Sequence, residues 1–160
     1  MAVQHPTSPS ARLYEGQVLK GETGRSYLLV SALGQSNVWT AVDAETQQEI
    51  YIIKQPSDFD NARQGWPSFQ HEMIMHELFK DSPSIRAQLD RIPPQNVNEP
   101  PRVVLEILES TLWSARSQRS FTYEEIKRVM RMTMASLKDV HAKGLVFAGK
   151  LLLQRSTLGS

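Results

Sequence analysis

Between Ser26 and Lys54 the chain sets three β-rich segments in succession, "SYLLVSAL" (26–33), "NVWTAV" (37–42) and "EIYIIK" (49–54), joined by short polar links. Aromatic and β-branched side chains favour a pleated, half-buried strand. A parallel connection needs a crossover of about a dozen residues or more. Links this short cannot supply one, so the segment predicts an antiparallel meander.

Helical periodicity takes over downstream. "WPSFQHEMIMHELFKDSP" predicts a helix with Pro67 in its first turn, Phe69 and Met73 on one face, and Ile74 and Leu78 beside it. Ser82-Pro83 ends it. "SIRAQLDRI" is a shorter amphipathic piece, "PPQNVNEPP" a loop, "RVVLEIL" (102–108) a buried strand and "STLWSARSQ" a short helix. "FTYEEIKRVMRMTMASLKDVHAKG" carries a stronger signature. Thr122 and Glu125 have the spacing of a capping box, and Phe121 and Ile126 that of a hydrophobic staple. Ile126, Val129, Met130, Thr133, Leu137, Val140 and His141 recur at helical spacing up to Lys143 and Gly144. Met130, Met132 and Met134 read as gap-fillers in a packed helix. The order is α+β with a mostly helical second half.

Composition narrows the function classes. Eighteen basic and seventeen acidic residues leave a net charge of +1, which gives no footprint for nucleic acid. Cysteine is absent, so neither a disulfide framework nor a thiolate metal site is available. No apolar run approaches the ~20 residues of a membrane span, and "MAVQHPTSPSAR" lacks the apolar centre of a secretory signal. The expectation is a soluble, intracellular protein, cytoplasmic or nuclear, with residues 1–12 disordered. "HEMIMH" is not a zinc motif. His71 and His76 are five apart, about 140° around a helix, where a shared ion requires a spacing of four.

Lys54 and Glu72 ask for a joint explanation. Lys54 alternates with Ile50 and Ile52 on one strand face, and Glu72 shares the inward helix side with Phe69, Met73 and His76. An inward lysine and an inward carboxylate are each costly alone. Pairing across the sheet–helix contact relieves both; two snorkelling surface charges are the alternative.

The order of these features resembles the small lobe of a eukaryotic-type protein kinase, with the first helices of its large lobe. The resemblance rests on Leu33-Gly34 with Val38 and Ala41, on "YIIK" where the family writes V-A-I-K, on Glu72 in the next helix, and on "VVLEIL" before the hinge. It runs through the helix beginning at Thr122 to about residue 147. It implies a small lobe over 13–108 (an antiparallel sheet plus one main helix), the start of a large lobe over 109–148, and an out-of-pattern tail over 149–160. It also implies an ATP site. Lys54 would touch the α- and β-phosphates, and Glu72 would hold Lys54. Gly34 would begin the loop over the phosphates, and Val38 would cover the adenine. Leu105 would be the gatekeeper, and Glu106 would begin the hinge.

The departures from the family pattern bear on activity. "GQSNV" is shorter than G-x-G-x-x-G-x-V and has one glycine, with Ser36 and Asn37 in the loop, and Ile52 replaces the small alanine over the adenine. Both features imply weak ATP binding. Where the family has H-R-D, this chain has Phe147, Ala148 and Gly149, so Gly149 falls at the catalytic aspartate. Neither the metal-binding asparagine nor D-F-G follows. The resemblance then implies no catalytic residue, no magnesium held by this chain, and no phosphoryl transfer by it alone. A pseudokinase-type protein-binding module is the alternative, with a partner or second copy on the apolar face of the 122–143 helix. An unrelated α+β domain is the other.

Overall fold

Two neighbouring inner strands of this protein's sheet are buried on both faces. In the computed structural model, which describes residues 12–146 except 62, 64, 98 and 109, these are β4 (Ile50–Lys54) and β6 (Arg102–Glu106). Tyr51 and Ile53 point into one core and Ile52 into another; Val104 and the pair Val103 and Leu105 divide the same way. Burial on both faces explains why "YII" and "VVL" are continuous apolar runs and not alternating ones.

The other strands are β1 (Val18–Lys20), β2 (Ser26–Leu33), β3 (Gln35–Asp43) and β5 (Gln88–Ile92). They form one six-stranded sheet in the order β1-β2-β3-β4-β6-β5, and each neighbouring pair is antiparallel. The expected meander is therefore β2-β3-β4. "SIRAQLDRI" supplies edge strand β5, because Gln88, Asp90, Arg91 and Ile92 pair with β6; sheet pairing overrides its weak local pattern.

The sheet curls until its first turn reaches its far edge. Glu22 donates its backbone N–H to the Arg91 carbonyl at 2.8 Å. Asp90 of β5 accepts from Thr23 N (3.2 Å), Thr23 Oγ1 (2.6 Å) and Tyr27 Oη (2.8 Å). A Cβ on Gly21 would overlap Asp90 Oδ2 and stand 2.7 Å from its Cγ, so glycine is required at that approach. The enclosed core includes Leu19, Tyr27, Leu29, Trp39 and Ile92. Burying such a side chain contributes roughly 1.5–3 kcal/mol.

The helices are α1 (Asp58–Asn61), α2 (Pro67–Leu78), α3 (Leu112–Gln118) and α4 (Tyr123–Ala142). The chain divides into two compact units. One holds residues up to Met75 with Gln88–Glu106, the other His76–Ala87 with the residues from Ile107 onward. In the first, Phe69 and Met73 of α2 pack against Ile52, Val103 and Leu105. In the second, α4 begins with the expected capping box. Glu125 N donates to Thr122 Oγ1 at 3.3 Å and Thr122 N to Glu125 Oε2 at 2.8 Å. It ends in a Schellman motif, with Gly144 at φ +71° and the Gly144 and Leu145 N–H groups on the His141 and Val140 carbonyls. Ser82 Oγ donates to Asp139 Oδ2 at 2.5 Å, and Ser136 Oγ to the Ser84 carbonyl at 3.0 Å, tying the 79–87 segment to α4.

Two expectations for α4 need correction. Val140 is buried and not part of an exposed face. Met130 and Met134 are exposed and fill no gap, because Ser136 and Val140 face the packed side and these methionines sit on another shoulder. No described helix is long and apolar enough to cross a membrane. The expected disorder of residues 1–12 falls, Arg12 apart, outside the described residues, as do Gly149 and the 149–160 tail.

Candidate functional site

Lys54 closes β4, held between Val38 on β3 and Val103 on β6. Strand alternation turns its side chain to the same face as Ile52, the face covered by α2. Glu72 sits on that helix one residue before Met73. The two charges meet: Lys54 Nζ lies 2.6 Å from Glu72 Oε1 and 2.7 Å from Oε2. Both side chains are about a third exposed, at 30% and 32%. The pair is therefore neither sealed in the core nor fully solvated, and its ammonium keeps a third donor beyond the two on Glu72. Placing two opposite charges this close on separate elements requires the sheet and helix to hold them, since exposed pairs alone contribute only about 0–1 kcal/mol.

Asp60, in α1, holds α2 at its start. Its carboxylate accepts from Ser68 N (3.2 Å) and Phe69 N (2.8 Å), two N–H groups that a helix start leaves unbonded. Burial pushes the Asp60 carboxyl up, but the N–H donors of Phe69 and Ser68 outweigh it and hold the group below its ordinary value. Arg102 locks the end of β4. Its guanidinium is buried, donating from Nε to Gln55 Oε1 at 3.2 Å and from Nη1 to Glu99 Oε1 at 2.6 Å. Gln55 follows Lys54 in the chain. Asn37 binds the same stretch from the other side: Gln55 N donates to the Asn37 carbonyl at 2.9 Å, and Asn37 Nδ2 to the Gln55 carbonyl at 3.3 Å.

Gly34 is the tip of the β2–β3 hairpin, with Leu33 paired to Gln35 and φ at +71°, which favours glycine. A Cβ there would meet nothing within 4 Å, so the requirement is backbone conformation and not space. Val38 is partly buried against the cluster of Ile52, Phe69, Val103 and Leu105. Leu105 is buried opposite Ile52, and Glu106 ends β6 opposite Tyr51. The fold thus brings Val38, Lys54, Glu72 and Leu105 around one face of the sheet, with Gly34 at the tip of the adjacent hairpin and Glu106 at the end of β6. Asp60, Gln55, Glu99 and Arg102 were not identified from the sequence. Asp60 reaches its partners across 8 and 9 residues and Gln55 meets Arg102 across 47, contacts that leave no local pattern.

The curled antiparallel sheet, the helix packed on it through Phe69, and the helices that follow are the fold of a protein-kinase-like small lobe and the start of a large lobe. Among solved structures the chain is similar to vaccinia related kinase 3, at a TM-score of 0.52 and 18% identity. The match covers 81% of this chain and 42% of that one, so this chain spans less than half the length of the kinase it resembles. No family model matches the sequence, and no curated protein matches it.

Proposed function

We propose that this chain is a kinase-like unit that binds a nucleotide weakly and transfers no phosphoryl group by itself. The observation that carries the reading is the Lys54–Glu72 pair, with both carboxylate oxygens within 2.7 Å of Nζ at the end of a central strand. An ammonium held in this way can donate to a phosphate oxygen without first being oriented. Arg102 through Gln55, and Asp60 through the start of α2, act as positioning residues for the two partners. The open space at the Gly34 Cβ position leaves room beside the hairpin tip. Ile52, packed against Leu105 and Val38, narrows the side where an adenine ring would lie, which supports weak affinity.

Magnesium would supply charge neutralisation between the phosphates. We place no magnesium on this chain, because the family pattern puts Gly149 at the catalytic aspartate and Glu72 is committed to Lys54. A thermal-shift titration with a non-hydrolysable ATP analogue should stabilise the chain, and Lys54→Ala should abolish the shift. Incubation with Mg-ATP and a generic Ser/Thr substrate should give no turnover above Lys54→Ala. An unchanged shift in that variant would remove the nucleotide reading; turnover above it would remove the inactivity. A second reading, a protein-binding module, is favoured by one observation: Ile126, Met130 and Met134 are all exposed on α4.

A further inference from the structure

Arg102 is 1% exposed, Gln55 5% and Glu99 8%, and the three are bonded in series. Glu99 is fixed at its own end. Its second carboxylate oxygen accepts from Gln95 N at 3.0 Å, and its N–H donates to the Asn96 carbonyl at 3.1 Å. The series therefore starts in the link between β5 and β6 and reaches the residue that follows Lys54. From Gln55 it crosses to β3. Asn37 accepts the Gln55 N–H at its carbonyl and donates from Nδ2 to the Gln55 carbonyl.

Stability is a weak reason for a buried ion pair of this kind. Taking a guanidinium and a carboxylate out of water costs about as much as their attraction returns, and apolar residues of similar volume fill the same space. What apolar residues lack is direction. Arg102 Nε fixes the Gln55 side chain, and Gln55 presents its N–H and its carbonyl to Asn37 in one arrangement.

The strand register shows what that arrangement holds. Val38 pairs with Lys54, and the Asn37–Gln55 contact is the next one toward the hairpin tip at Gly34. The other arm of the hairpin is irregular. The β2–β3 pairing slips between Leu29 and Ser31 and again between Ala32 and Leu33. Slips of this kind interrupt the ladder and bend the strand. The angle of the tip beside Lys54 is then set more firmly by the arm that Asn37 anchors.

We propose that Glu99, acting through Arg102, Gln55 and Asn37, is a positioning residue for the Gly34 hairpin and so for nucleotide binding at Lys54. This rests on the nucleotide reading above and adds how its site is set. The link between β5 and β6 controls the stance of the hairpin, and a change at Glu99 is felt at a site it does not touch.

The test uses the 160-residue chain. Glu99→Gln with Arg102→Met removes both charges and keeps the volume. That double variant should still unfold cooperatively in urea. Amide hydrogen exchange over residues 33–37 should become at least about tenfold faster, while residues 28–29 and 41–42 at the base of the hairpin keep their rates. A non-hydrolysable ATP analogue should bind about three- to tenfold more weakly. Asn37→Ala should have the same two effects, and adding it to the double variant should bring little further loss, because the residues act in one series. A purely structural pair would move the urea midpoint and leave hairpin exchange and affinity at the parent values; that result overturns the proposal. Unchanged hairpin exchange in Asn37→Ala also overturns it, whether or not the double variant folds. A parent chain with no nucleotide-dependent thermal shift removes the nucleotide reading, and the exchange rates then still decide whether Glu99 positions the hairpin, so the two failures are read apart.

Discussion

Replacing Asp90 with alanine removes the group that fastens the two ends of the curled sheet. Besides its chain neighbour Arg91 N, three donors across the curl lose their acceptor: Thr23 N, Thr23 Oγ1 and Tyr27 Oη. Thr23 is exposed, so water can replace Asp90 there. Tyr27 is 1% exposed, so its hydroxyl is left buried without that acceptor. Counting about 0.5 kcal/mol for each Thr23 bond and about 2 kcal/mol for the stranded hydroxyl gives a loss of about 3 kcal/mol. For a chain of this size that lowers Tm by about 6–12 °C. Urea unfolding followed by tryptophan fluorescence reads the affected unit, because Trp39 lies in its core and Trp66 packs beside Ile52. Tyr27→Phe should cost less than Asp90→Ala, since it strands no donor and leaves the Thr23 bonds in place. The double variant should cost less than the sum of the two by about 1 kcal/mol or more, because the partners touch. If Asp90→Ala shifts stability by less than about 0.5 kcal/mol, the level of an ordinary surface change, the fastening role is wrong.

Gly21→Ala should destabilise by about 2 kcal/mol or more, because its methyl meets an Asp90 side chain that four bonds hold in place; combined with Asp90→Ala the cost should fall, and chemical denaturation of the four proteins checks it. Acid should weaken the fold through its depressed carboxyl groups, Asp60, Asp90 and Glu125 among them. Burial raises the Asp90 carboxyl, but the donors of Thr23, Tyr27 and Arg91 together hold it below its ordinary value. Arg119, with Thr122, brings Glu125 down to about 2. A depressed folded value means stability present above the unfolded carboxylate range and lost as pH falls through it, so Tm should drop progressively from about pH 5 toward pH 2. Glu125→Gln should flatten that drop. Asp60→Ala, which frees the Ser68 and Phe69 N–H groups, should lower Tm and weaken the nucleotide-dependent shift, whereas a purely structural role would lower Tm alone.

The sequence by itself determined the elements whose signals are local. The meander follows from short links between β-rich segments. The start of α4 follows from Thr122 and Glu125 three residues apart, and its end from Gly144, because a cap is made by neighbours in the chain. The central strands were legible because burial on both faces demands unbroken apolar runs. The Lys54–Glu72 pair was half legible: composition and face showed two charges that each needed a partner, 18 residues apart. Only the tertiary structure decided that they meet, that Asp90 reaches across 67 residues to Thr23, and that Arg102 enters the core on Gln55 and Glu99. Such contacts carry no period and no spacing. They exist because the sheet curls and because strand and helix packing bring separate segments within hydrogen-bond reach. The exposure of Met130 and Met134 was decided in the same way, since a helical pattern shows which residues share a face and only packing shows which face is covered.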